Sequence, residues 1–196
     1  MTIVENHFDR AKPFYPLIVG YISQWIGLRE LILRVILSPR DLTQEAVQQG
    51  LDPELLRQLH GPLDMLSQFT GESIRVDVDK IGREIFDEHM YLLPFFVRAS
   101  GNILILAHEI TKNKTYSDKS PLWEFLRHCR NAAAHNGVFT FFADEPKRPA
   151  VWGHLSIEAS MQGMPLFKGE DHNGFLSPGD PIKLLWDIEQ ANPSMT

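Results

Sequence analysis

Residues 121–137 read PLWEFLRHCRNAAAHNG, and the way this stretch starts and stops settles the class of fold. Pro121 suits the first turn of a helix, where its missing N–H has no intrahelical acceptor to lose. Trp123, Phe125, Leu126 and the run Ala132-Ala133-Ala134 carry that helix to Asn136-Gly137, a pair that accepts the left-handed backbone of a helix C-terminus. Upstream of this stop the apolar residues recur at helical spacing. Downstream they fall into short runs punctuated by Pro and Gly.

Working upstream, Ile18, Ile22, Trp25, Ile26, Ile32 and Ile36 repeat every three or four residues and predict one long core helix over about 13–37, ended by Ser38-Pro39. Two shorter helices are expected next, one over 43–49 closed by Gly50 and one capped by Asp52 with Pro53 behind it, interrupted near Gly61-Pro62. Thr70 to Ser73 reads as a turn, and the alternation of Ile74, Val76 and Val78 with Arg75, Asp77 and Asp79 as a short exposed strand or an extended link. From 79 to 112 helical spacing returns and runs through Pro94, which should kink or break it. Residues 111–120 form a lysine-containing polar loop.

Working downstream, Val138–Phe142, Val151–Ile157 and Leu166-Phe167 predict strands, and Asp180-Pro181 opens a final amphipathic helix. The fold class is therefore mainly α: a helical bundle with a small β appendage and a C-terminal helix. We read 1–196 as a single domain, with the helical core over about 13–136 and the appendage and last helix over about 137–190.

Composition narrows the function classes. A chain of 196 residues with 43% hydrophobic and 22% charged side chains is ordinary for a globular domain. A net charge of −6 means that any nucleic-acid site must be local, since the molecule as a whole repels phosphate. The single Cys129 permits no internal disulfide and suits a reducing cytoplasm. The first ten residues carry Glu5, His7, Asp9 and Arg10, so no export signal is predicted. The longest apolar stretches are broken by Arg29, Glu30 and Arg34 or by Arg98, which argues against a membrane span.

The chemistry-bearing residues are Arg130, Asn131 and His135. Histidine exchanges protons near neutral pH, and a guanidinium grips phosphate and stabilises its developing charge. Arg130 and His135 lie five apart, about 140° around an ideal helix, whereas Asn131 and His135 share a face. Asn131 is thus expected to orient the His135 ring. A two-fold dimer brings Arg130 of one chain toward His135 of the other, and the alanine run allows such close helix approach. Equally, the alanines suit a tight contact within one chain. Nearby Lys112, Lys114, Lys119, Arg127 and Arg130 outnumber Asp118 and Glu124, a locally cationic stretch that could guide RNA or simply face solvent. Glu109, Lys112 and Asn113 form a further polar group that could face the same cleft.

With 8 histidines in the chain, an arginine followed by histidine five positions later is expected about 0.4 times by chance. Requiring Asn, Asp or His directly after the arginine lowers this to roughly 0.06. Arg83 to His89 and Arg148 to His154 have six-residue separations, but the first lies among carboxylates and the second begins at Pro149. The segment Arg130-Asn131-Ala132-Ala133-Ala134-His135, late in a helical chain, resembles the Arg-x4-6-His signature of the HEPN superfamily, including its preference for Asn, Asp or His after the arginine. The specific match covers six residues.

The resemblance implies a HEPN-like helical bundle that forms a homodimer across the motif helices. It also implies a metal-independent endoribonuclease of the kind found in toxin–antitoxin, abortive-infection and CRISPR-linked defence systems. RNA would be the substrate, and an antitoxin or regulatory protein a further partner. Attack of a ribose 2′-hydroxyl on the adjacent phosphorus would leave a 2′,3′-cyclic phosphate, with His135 as general base or acid, Arg130 stabilising charge and Asn131 fixing the ring or touching phosphate. No cofactor or metal is implied. The alternative is a catalytically silent HEPN-like binding module. His135 also has an ordinary structural reading at a helix end. A zinc site from His128, His135, His154 and His172 lacks paired ligand spacing. Cys129 reads as a small buried residue, and Trp123, Trp152 and Trp186 as core anchors.

Overall fold

The structure, a computed structural model, describes residues 9–36, 47–48, 50, 62–87, 92–142, 144–169 and 173–195. Over these the chain is mainly helical: α1 (Tyr15–Ile36), the hairpin β1 (Leu63–Leu66) and β2 (Ser73–Val76), α2 (Val78–Asp87), α3 (Leu92–Thr111), α4 (Pro121–Ala134), the short pair β3 (Val151–Trp152) and β4 (Leu155–Ser156), and α5 (Asp180–Ala191). Apart from Val47 and Gln48, which are helical, and Gly50, the two short helices expected between α1 and β1 lie outside the described residues. Two compact units divide the chain, one of residues 1–23 and 93–196, the other of residues 24–92. Both divisions fall within or at the start of a helix, so no Pro/Gly linker marks them.

In the second unit, β1 and β2 pair antiparallel with Leu63 opposite Val76 and Met65 opposite Ile74. Arg75 Nε and Nη2 donate to both carboxylate oxygens of Asp64 at 2.8 and 2.9 Å. Gly71 adopts φ 73° at the turn. The strand β2 was expected. β1 was not, because residues 63–66 are too few to separate strand alternation from the continuation of a helix.

The first unit holds the large core. On α4, Phe125, Leu126 and Cys129 are fully buried, and the helix packs on β3 and α5, which contributes Leu184, Leu185 and Ile188. Phe125 meets Trp152 and Phe175 at 5.7 Å between ring centroids, while Phe139 meets Phe175 at 5.5 Å. With Leu166 and Leu176 also fully buried, the segment after α4 completes the core. At roughly 1.5–3 kcal/mol per buried apolar side chain, this layer is indispensable to the unit. Gly174 sits with its Cα so close to Phe167 that a Cβ would lie 2.3 Å from the Phe167 carbonyl oxygen, which requires glycine.

The start of α1 joins this unit through polar contacts. Glu189 of α5 accepts the Phe14 N–H at 2.9 Å, and Tyr21 Oη donates to the Pro178 carbonyl while accepting from Ser100 Oγ, both at 2.7 Å. Pro94 lies in the first turn of α3, where a helix tolerates it, so the helix runs on from it to Thr111 without the expected break. The short segments beyond α4 are less regular than expected. Val138 bridges Pro165 and Phe167 bridges Leu176 as isolated pairs, and only 151–152 and 155–156 form a ladder.

Candidate functional site

The motif helix α4 ends as its sequence demands. His135 occupies the C-cap at φ −111°, ψ 63°, its N–H shared between the carbonyls of Asn131 and Ala132. Asn136 and Gly137 follow at φ 59° and 74°, and the Gly137 N–H returns to the Ala132 carbonyl at 3.0 Å. His135 therefore stands outside the helix on an exposed shoulder, and the ideal-helix angle between it and Arg130 no longer applies.

Helix α3 runs antiparallel beside α4, since rising residue numbers on α3 meet falling numbers on the partner segment. Gly137 faces Val97, Ala133 faces Gly101 and Arg130 reaches Glu109. A Cβ on Gly101 would lie 3.2 Å from that of Ala133, so Ala133 is committed to this contact within the chain. Ala132 is buried and Ala134 exposed.

Arg130 is held by two partners. Its Nη2 donates to Glu109 Oε1 at 2.8 Å and its Nη1 to Asn131 Oδ1 at 3.1 Å, while its buried Nε has no hydrogen-bond partner among the described residues. Lys112 grips the other Glu109 oxygen. Lys112 first, and Arg130 with it, hold the Glu109 carboxyl down to about 2. Beside them, His108 places Nδ1 at 3.8 Å from Glu109 Oε1. Burial, reinforced by the Arg130 guanidinium, keeps the His108 imidazole below its ordinary pKa and hence neutral at pH 7.

The structure thus brings Arg130 and Asn131 together and leaves the His135 ring without a hydrogen bond to either among the described residues. Asn131 uses its carbonyl oxygen to hold Arg130, whereas the sequence pointed it at His135. The sequence groups Glu109 with Lys112 and Asn113 as polar residues that could face the same cleft, and it gives His108 no role. Their signal was present all the same: His108-Glu109 is a polar pair in the last turns of a helix that otherwise reads LLPFFVRASGNILILAHEIT.

Three of the five cations in the stretch of residues 111–130 are ion-paired, and Lys114 and Lys119 are exposed with no ion pair among the described residues. Lys112 and Arg130 share Glu109, and Arg127 is engaged by Glu124 and Glu145. Arg127 Nη2 also donates to Nε2 of the buried His128, whose pKa is lowered by burial and by that guanidinium. Burial pushes the Cys129 thiol well up, which leaves it un-ionised.

A groove of about 580 Å³ opens where α3 and the end of α4 meet, lined in part by Arg98, Asn102, Ala134, Asn136 and Phe167. The residues flanking His135 on both sides, Ala134 and Asn136, belong to its wall. Among the described residues no three His, Cys, Asp or Glu side chains gather into a cluster able to hold a metal, and no helix is long and apolar enough to cross a membrane. No known protein family, curated protein or solved structure matches the chain.

Proposed function

We propose that the protein is a metal-independent endoribonuclease of the HEPN type, acting as a homodimer in which Arg130 of one protomer and His135 of the other serve one phosphate. The observation that carries this reading is a part-exposed guanidinium held in place by Glu109 and Asn131, with one hydrogen bond made from each Nη, on the same helix end as an exposed imidazole. The ribose 2′-oxygen bonds to the adjacent phosphorus as the bond from phosphorus to the 5′-oxygen breaks. One imidazole takes the 2′-hydroxyl proton and a second proton goes to the leaving 5′-oxygen, giving 2′,3′-cyclic phosphate and 5′-hydroxyl ends. Arg130 stabilises the charge that develops on the phosphoryl oxygens. Asn131 acts in this scheme by positioning Arg130. A role in growth arrest or defence, with an antitoxin or regulatory protein as partner, belongs to the same proposal.

Incubation of the purified protein with single-stranded RNA in EDTA tests it. Cyclic-phosphate products are expected from the native chain and none from His135→Ala with an unchanged circular dichroism spectrum. Intact RNA across several substrates from pH 6 to 8 would sink the reading. A strictly monomeric protein in light scattering would sink the shared site. The second reading, a silent binding module, is favoured by the pairing at the motif: Arg130 is already ion-paired, and among the described residues no side chain hydrogen-bonds the ring of His135.

A further inference from the structure

The groove beside His135 has one charged side chain in its lining, and it is positive. Arg98 is exposed and pairs with no carboxylate among the described residues. One turn further along α3 on the same face stands the exposed Asn102, and Asn136, in the left-handed cap of α4, lines the groove from the other helix. Pro94, Val97 and the edge of Phe167 supply apolar surface. The chain holds this shape firmly, with Gly101 against Ala133 on one side and Phe167 locked by Gly174 on the other.

Three facts give the groove a preference for a nucleotide. An arginine with free donors suits phosphate bidentately. Apolar surface next to amides accommodates the face and edge of an unstacked base, as single-strand recognition requires. A volume near 580 Å³ suits a fragment of one strand rather than a duplex.

We infer that this groove seats the nucleotide adjoining the cleaved bond of a single-stranded RNA, with Arg98 on its phosphate and Asn102 and Asn136 reading the base or sugar edge. The inference rests on the nuclease reading and names its substrate subsite. It also gives an acidic protein a local cationic contact for RNA beyond the motif residues.

The test uses the full chain and a short fluorescent single strand that is 2′-O-methyl throughout, which lacks the attacking hydroxyl, alongside its cleavable counterpart. Arg98→Ala is expected to weaken binding about tenfold and to lower the log–log salt slope by about one. Arg98→Lys should recover part of the loss, and Asn102→Ala should weaken binding less. With the cleavable strand, the fall in kcat/KM should be carried by KM. Arg98 is exposed, so folding should be unaffected; should Arg98→Ala misfold, Arg98→Gln reads the same term. Cleavage by the native chain with binding indifferent to Arg98 overturns the groove and spares the nuclease. Arg98-dependent binding without any cleavage overturns the nuclease and retains the groove as an RNA site. Absence of binding, or an acidic peptide of equal charge bound as tightly and with the same Arg98 dependence, overturns the groove.

Discussion

Arg127 and Arg130 sit three residues apart on one helix and are almost equally exposed, 30% and 29%, yet they occupy different electrostatic worlds. Every nitrogen of Arg127 is engaged: Nε and Nη2 with Glu124, Nη1 with Glu145, and Nη2 also with His128. Glu124 is only 5% exposed, so that guanidinium answers a buried charge. Arg130 instead shares an accessible carboxylate with Lys112 and makes one further hydrogen bond, from Nη1 to Asn131. Exposure cannot tell these two arginines apart. The inventory of partners can.

The largest expected effect divides the two by activity. Arg130→Ala should lower RNA cleavage by about 10²–10³-fold, the scale of losing one charge-stabilising donor, while leaving the urea midpoint close to native. Arg127→Ala should do the reverse. Leaving the Glu124 carboxylate buried with only Arg148 at 3.5 Å should cost about 3 kcal/mol in denaturant unfolding. Equal losses of stability from both variants would erase the contrast.

That contrast was half legible in the sequence. The helix boundaries of α1, α4 and α5 follow from apolar spacing, Pro at a first turn and Gly after a last one, all local signals. The left-handed pair Asn136-Gly137 even fixes where His135 leaves the helix. What a linear reading cannot supply is the partner. Glu109 lies 21 residues before Arg130, and Glu145 lies 18 after Arg127. Both contacts depend on how α3 and the segment after α4 return to α4. The Asn131 side chain was misdirected for the same reason, since the helical wheel ranks His135 as its neighbour and ignores a guanidinium one residue away that folds back onto its oxygen. β1 escaped because four residues carry too little periodicity.

A second pairing sharpens the comparison on the stability side alone. Glu189 is buried, and burial raises its carboxyl above the ordinary value while the Phe14 N–H opposes that shift. A carboxyl raised on folding weakens the native state at pH values above its folded pKa and ceases to do so as pH falls toward its unfolded one. Glu189→Leu should cost about 1–3 kcal/mol by orphaning the Phe14 N–H. Glu189→Gln keeps an acceptor and sheds the buried charge, so it should cost less than Glu189→Leu at pH 7 and flatten the pH dependence. RNA cleavage at matched folded fraction should be unchanged in both, because neither touches the motif helix end.

The smallest effect is the most diagnostic for Arg130. Glu109 is depressed to about 2 from an ordinary 4.5, so its contribution to stability is complete above 4.5 and drains away as pH falls toward 2. It is an accessible pair, so the change in unfolding free energy should be slight. The titration itself is the readout. Carboxyl-carbon NMR should place the native midpoint near 2, with Lys112→Met moving it up most and Arg130→Ala moving it up as well. If Arg130→Ala leaves the midpoint where it was, Glu109 does not hold the guanidinium in solution. Arg130 would then be as free as any surface arginine, and the feature that sets it apart from Arg127 would lose its structural basis.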